Sequence, residues 1–296
     1  MKLYDNSILE GAIDIHIHVG PDYMARYADC ITLAEEAAAC GMRAFVAKCH
    51  LTSTVGATAA ANLVVSGVRA IGSITLNGPT GGLSPRSVII AVKSGAKVVW
   101  LPTVDAKYGY EKASQGHWIG HYVSTSSFGY PTEQLSILDN SGALKEEARE
   151  ILRICKNEGV ALCSGHISPA ECLALAREAK VIGFKNLEIT HANAWIEDFT
   201  IGVMKELAEL GAYISISYGA CSPRNGRQDP EEILSIIKQI GAKNLILMTD
   251  YGQVVSPAPV EGLRVFYYLM KNLGISGTDI DLMIKKNPAK FLNLEE

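Results

Sequence analysis

Ala12-Ile13-Asp14-Ile15-His16-Ile17-His18-Val19, followed by Gly20-Pro21, is the stretch on which the reading of this chain turns. Apolar and polar residues alternate along it, the period-two pattern of a strand. His16 and His18 then project from one face, about 6–7 Å apart at Cα level. Gly20-Pro21 stops the strand, so the pair stands at its C-terminal end. Two imidazoles at that separation can converge on one metal ion. A lone strand histidine is more often a hydrogen-bonded or half-exposed residue. Two on one face among branched aliphatics are harder to explain that way, because each buried imidazole needs a polar partner.

The rest of the chain supplies the frame. Eight short apolar runs recur: 13–18, 44–50, 69–76, 98–105, 160–166, 187–191, 212–218 and 245–250. Amphipathic segments lie between them, over 32–40, 85–93, 145–157, 169–180, 197–210 and from Asp229-Pro230 to Gly241. Pro169 and Pro230 suit a first helical position. A helix closed by glycine and followed at once by a strand recurs at Gly41, Gly67, Gly95, Gly159, Gly183, Gly211 and Gly241. Such glycines suit the left-handed residue that ends a helix. Strand–helix alternation of this length implies parallel strands joined by right-handed crossovers. Eight units predict an α/β fold, a single (β/α)8 TIM-type barrel over residues 1–296, for which about 250 residues is typical. An open doubly wound sheet would carry a glycine-rich phosphate turn after its first strand, where this chain has His18-Val19-Gly20-Pro21. Residues 106–131, rich in Tyr, Gly, Ser and His, read as a long irregular segment: a lid over the site or an interface loop.

Composition excludes several classes. The chain has 296 residues, 48% hydrophobic, with formal charge −4. That balance, with no basic run interleaved with aromatics, argues against nucleic acid. No stretch reaches the length of a membrane span, and the N-terminus has no signal-like apolar region, so a cytoplasmic protein is expected. The seven cysteines are scattered without a Cys-x-x-Cys pair and read as thiols of a reducing compartment. Cys49 and Cys163, although next to site candidates, read as small core side chains.

In such a barrel, chemistry collects at the C-terminal ends of the strands. His16 and His18, Lys48 and His50, Thr103 and Asp105, His166, His191 and Asp250 fall there. Five of the seven histidines do so, and the other two, His117 and His121, lie in the long segment. This segregation fits a metal site: His16, His18 and Asp250 for one ion, because the last strand neighbours the first, and His166 with His191 for a second. Imidazole with carboxylate suits Zn, and also Mn, Fe or Ni. Lys48, pointing into a barrel mouth near cations, is not expected to stay an ordinary ammonium. It could be carbamylated into an anionic bridge or hold an anionic substrate group.

These residues resemble the pattern of the amidohydrolase superfamily: His16-x-His18 on strand one, His166 on strand five, His191 on strand six and Asp250 on strand eight. Asp14-Ile-His-Ile-His-Val-Gly-Pro, Lys48-Cys-His, Gly81-Gly-Leu-Ser-Pro, Leu101-Pro-Thr-Val-Asp105, Ser164-Gly-His-Ile-Ser-Pro and Thr249-Asp-Tyr-Gly-Gln resemble an uncharacterised amidohydrolase-like branch, over nearly the whole chain. The resemblance implies a deformed barrel with one or two divalent ions, a metal-activated hydroxide, and Asp250 as both ligand and proton shuttle. Binuclear members usually bridge their ions with a Lys or Glu from strand four. Strand four here offers none at its C-terminal end, which leaves Lys48 or Asp105 as the substitute.

The expected activity is metal-dependent hydrolysis of a C–N bond (amide, imide or ring) in a small molecule. Lactone or phosphoester hydrolysis uses the same site. A mononuclear decarboxylase or lyase and a non-catalytic ligand-binding barrel are the rival classes. His50, Asp105, Arg26 and Arg86 are the expected substrate contacts, the arginines as clamps for carboxylate or phosphate. The aromatics of residues 106–131 would suit a lid or a homo-oligomer interface.

Overall fold

Branched aliphatic runs and helix-closing glycines produce a parallel α/β architecture. The computed structural model describes residues 5–117, 133–194, 197–222 and 228–294. The strands are β1 (Ile13–His18), β2 (Ala44–Lys48), β3 (Arg69–Ile71), β4 (Ser73–Thr75), β5 (Val98–Trp100), β6 (Ala161–Cys163), β7 (Leu187–Ile189), β8 (Tyr213–Ser217) and β9 (Leu245–Met248). They form a three-stranded sheet, β1-β2-β3, and a six-stranded sheet, β4 through β9 in sequence order. Each ladder between consecutive strands is parallel. Helices fill the crossovers, among them α1 (Cys30–Ala39), α2 (Val55–Val64), α3 (Pro85–Lys93), α4 (Lys107–Lys112), α5 (Glu146–Glu158), α6 (Pro169–Ile182), α7 (Ile201–Glu209), α8 (Pro230–Ile240) and α9 (Pro259–Asn272). The chain ends in short helices, the last Asn287–Phe291.

The helix signals act as expected. Ser168 caps α6 in a reciprocal capping box with Glu171, and Pro169 follows at the first position. Gly159 and Gly183 close α5 and α6 in left-handed conformation, with φ of 63° and 74°.

Two departures from simple alternation matter for the site. The expected strand over 69–76 is divided at Gly72: β3 pairs with β2, and β4 pairs with β5. Helix α2 presses on that point, for a Cβ on Gly72 would lie 2.9 Å from Val55 Cα. The second departure is in β1, whose register against β2 shifts between Asp14 and Ile17. The bulge places Ile13 and Ile15 in one buried cluster with Trp100, Cys163, Met248 and Phe291, and Ile17 in the cluster that packs beneath the helices. A bulge re-aims side chains in this way. It lets isoleucines 13 and 15 fill the interior below histidines 16 and 18.

The interior between the strands is thus layered. Ala44, Val46, Val98, Ala161 and Ile246 lie in its apolar part with Phe291. Phe291 packs edge-on to Tyr213 at the start of β8, so the C-terminal helix closes the end opposite the histidines. Most strands leave their ladders earlier than the apolar runs suggest: β5 ends at Trp100, β6 at Cys163, β7 at Ile189 and β9 at Met248. Residues 106–117 begin as helix α4 and a π turn, Ala113–His117, and 118–132 lie outside the described residues.

Beyond Met248 the chain joins β1. His18 N donates to Tyr251 O at 2.8 Å and Asp250 N to His16 O at 3.1 Å, with a parallel bridge between Ile17 and Tyr251. Gly252 makes this approach possible. Its φ is 120°, and a Cβ there would fall 1.9 Å from His18 O. Substituting Gly252→Ala should therefore open the seam. A loss of at least about 2 kcal/mol is expected from urea unfolding, the range of backbone strain combined with steric overlap; wild-type stability would show that the junction can relax.

Candidate metal centre

Asp250 meets β1 directly because of that seam. His18 Nε2 lies 3.0 Å and His16 Nε2 3.2 Å from Asp250 Oδ1. Lys48 is the register partner of His18, and its Nζ lies 3.0 Å from His16 Nε2. The Trp100 ring forms the floor: its centroid is 4.7 Å from that of His16, and Lys48 Nζ stands 4.5 Å over it. His16, Lys48 and Trp100 are all fully buried.

A second group adjoins the first. His166, His191 and Glu197 bring potential ligand atoms within 4.8 Å of one another, all three residues being buried. The His166 and His191 rings are 5.1 Å apart, and His191 stacks toward His16 at 5.7 Å, so the two groups are contiguous. His191 Nδ1 and Glu197 Oε1 are 3.4 Å apart. His50 packs 4.9 Å from the His18 ring and lies within 2.8 Å of Thr103 Oγ1 through Nδ1. Asn77 Nδ2 donates to that same hydroxyl, leaving the Thr103 proton for His50.

Burial sets the charge states. It holds the His16 and His18 imidazoles well below the usual histidine range, reinforced by Lys48 at His16 and by Arg26 at His18. His191 is lowered to about 3 by burial and then by Lys48. Neutral imidazoles keep a lone pair for a cation. Burial lowers Lys48 to about 8, opposed by Asp250. It also raises Glu197 well above the usual carboxylate range. Asp14 is raised to about 6 by burial, although Thr249 Oγ1 donates to it at 2.5 Å and His16 N at 3.1 Å. Asp14 therefore ties the β1 bulge to the residue before Asp250.

The backbone is strained at two of these positions. His191 has φ of 32° and Asp250 of 57°, values that non-glycine residues rarely adopt. Such outliers cost about 1–3 kcal/mol each and cluster at functional sites.

Does this donor set suit a cation? Ligands at about 2.0–2.1 Å around a tetrahedral ion are separated by about 3.3 Å. The 3.0 and 3.2 Å separations at Asp250 and the 3.4 Å separation of His191 and Glu197 are of that size. Nδ1 of His191 and Oε1 of Glu197 are buried with no hydrogen-bond partner among the described residues. The donors are imidazole and carboxylate, the set that Zn and related divalent ions prefer. The residues present fit a divalent cation.

The remaining candidates are placed as follows. Asp105 accepts from Gly78 N at 2.7 Å and belongs to neither cluster. Arg26 is buried against Asp22, whose Oδ2 takes its Nε at 2.6 Å. The backbone of Arg26 bridges Gln253, three residues past Asp250. Its NH1 is buried with no hydrogen-bond partner among the described residues. Arg86 is exposed on the first turn of α3 and belongs to neither cluster. His121 lies outside the described residues. Sequence reasoning missed Glu197, which alternation assigns to a helix that in fact starts at Ile201. It also missed Trp100 as the floor and Thr249 as the partner of Asp14. The signal for Trp100 and Asp14 was available: a bulky aromatic and a carboxylate within strands. Glu197 had none.

The fold matches solved structures along almost its whole length. An amidohydrolase from Pseudomonas aeruginosa aligns at TM-score 0.60 and 12% identity, covering 97% of each chain. The organophosphorus hydrolase of Deinococcus radiodurans aligns at 0.58 and 15%, covering 98% of this chain and 94% of that one. The N-acetyl-D-glucosamine-6-phosphate deacetylase of Mycobacterium smegmatis aligns at 0.56 and 14%, covering 96% and 76%. Fold and site together define the class: an α/β chain with the fold of the amidohydrolase superfamily and histidine–carboxylate groups at its strand ends. Residues 11–215 match a family of unknown function, DUF6282, and the chain belongs to that family. No curated protein matches it.

Proposed function

We propose that this protein is a metal-dependent hydrolase built on a closed (β/α)8 barrel, in which β3 and β4 count as one strand and the β1–β9 seam completes the ring. The observation that carries this reading is the convergence of His16 Nε2 and His18 Nε2 on Asp250 Oδ1, at 3.2 and 3.0 Å, next to the His166–His191 pair. His16, His18 and Asp250 would hold one divalent ion, and His166 and His191 a second, with zinc the ion favoured. Ions held there would polarise the scissile bond and make water acidic enough to ionise near neutral pH. Two adjacent ligand groups support hydrolysis over the mononuclear lyase reading.

Asp250 then works as the proton shuttle. Its carboxylate faces the two histidines and its side chain is 18% exposed, so it reaches both the ligands and the cavity. It takes the proton of the attacking water and delivers it to the leaving nitrogen. The substrate class is a small molecule with an amide, imide or cyclic C–N bond. Arg26 is the clamp for an anionic group on it, because NH1 is a buried cationic donor in need of an acceptor. His50, beside His18, contacts the substrate from the other flank. Seven free thiols support a reducing compartment.

Lys48 is the bridging candidate. Asp105 is engaged by Gly78, whereas Lys48 Nζ already lies within the first cluster. Burial favours its neutral amine, the form that adds CO2 with loss of one proton to give a carbamate anion.

Three outcomes test this reading. Chelation should abolish hydrolysis across a panel of amides, imides and cyclic ureides, and Zn or Mn should restore it; chelator-insensitive turnover, or a protein that takes up no ion, removes the assignment. Asp250→Asn should keep the wild-type melting temperature while kcat falls about 10²–10⁴-fold, the usual size of general acid–base catalysis. Full activity in that variant eliminates the shuttle. Metal-loaded protein equilibrated with 13C-bicarbonate should show a carbamate carbon resonance that is absent in Lys48→Met, and a spectrum without it rules out the bridge.

A further inference from the structure

We infer that Glu197 is a direct ligand of the second cation, supplying that ion with an anionic donor from the loop after β7. This inference rests on the proposed metal-dependent function and adds a ligand to its second site. The amidohydrolase pattern read from the sequence assigns no role to this position, and helix periodicity places it on a helix.

Charge is the first argument. Imidazole ligands such as His166 and His191 bring no negative charge, and two of them alone leave a divalent ion without local compensation. Glu197 is the carboxylate grouped with them, and it is only 1% exposed. Ionising a carboxylate at such a buried position is costly by several kcal/mol, a cost that a bound cation offsets. Its Oε1 has no hydrogen-bond partner among the described residues.

Geometry is the second. His191 Nδ1 and Glu197 Oε1 stand 3.4 Å apart without forming a hydrogen bond. An N–H aimed at the carboxylate would sit closer and in line. Two lone pairs side by side at this separation match neighbouring vertices of a coordination shell.

The loop is also held in place by its surroundings. Glu197 N donates to Ala194 O at 3.0 Å, and Tyr108 Oη of α4 donates to Glu197 O at 3.3 Å. The next residue, Asp198, pairs with Lys112 of α4 at 2.7 Å. Asp198 also has a left-handed φ of 54°, so the loop carries backbone strain at His191 and at Asp198, on both sides of the carboxylate. Contacts of this kind position a donor before any ion arrives.

The alternative role is orientation: Glu197 would accept a hydrogen bond from His191 Nδ1 and leave only Nε2 for the ion. Glu197→Gln separates the two, since its amide oxygen can still accept from His191 but carries no charge. Protein stripped of metal, reloaded with zinc and desalted is assayed by mass spectrometry for zinc per chain. Wild type should hold two ions and Glu197→Gln one, with affinity at the second site reduced by more than about 100-fold, beyond the about 10–100-fold typical of an orienting partner. Two ions in both proteins, with similar affinity, overturn the Glu197 assignment and leave the hydrolase reading standing. One ion in wild type also overturns it; none overturns both. Should the variant not fold, anomalous diffraction from zinc-loaded wild type decides. Glu197 Oε1 is expected at about 2.0–2.2 Å from the second ion, and a carboxylate turned to His191 Nδ1 beyond the ligand shell refutes it.

Discussion

The junction of β1 with the segment after β9 is the constraint on which the site depends. Two backbone hydrogen bonds, His18 N to Tyr251 O and Asp250 N to His16 O, bring together residues more than 230 positions apart. Without them Asp250 would not face the histidines of β1. The junction is tight enough that Gly252 has no room for a side chain. Asp14 reinforces it from beneath, binding the freed amide of the bulge and the hydroxyl of Thr249. One local irregularity in β1 thus serves both the seam with the segment after β9 and the aim of the two histidines.

Above this junction the interior changes character. The lower layer is aliphatic and sealed by Phe291, whereas the upper layer holds histidines, a lysine and carboxylates with almost no solvent contact. An assembly of buried ionisable groups is unfavourable for folding unless they are paired or bound to a cation. Neutral imidazoles limit the cost, and Lys48 and Asp250 offset each other's charge. The strained backbone at His191 and Asp250 adds to it. Stability is given up here in a pattern that chemistry at the site would explain.

Much of the architecture was legible from the chain alone. β1 spans the residues that alternation predicts, and α3 runs over Pro85–Lys93 as read from its proline and glycine boundaries. Strand ends were less legible: the apolar runs continue past the last ladder bond, as at Val98–Asp105, because residues in the loops above the strands are buried as well. Periodicity cannot tell a buried strand residue from a buried loop residue. Nor could it register the bulge in β1, because inserting one residue leaves the composition of the run unchanged. The break at Gly72 arises from α2 pressing on the strand, a contact between segments rather than a property of either.

For the site, local sequence determined which side chains were available: two histidines on one strand, histidines at the ends of three others, and an aspartate after the last. Their identity and their place at strand ends follow from short-range patterns. The tertiary structure alone decided which of them meet. It set Lys48 beside His16, turned Asp105 to Gly78, and brought Glu197 to His191 from a loop with no recognisable motif. The physical reason is that hydrophobic period reports the direction of a side chain from its own element. Convergence on a common point depends on the register between strands and on the path of the loops, which only the packed chain defines.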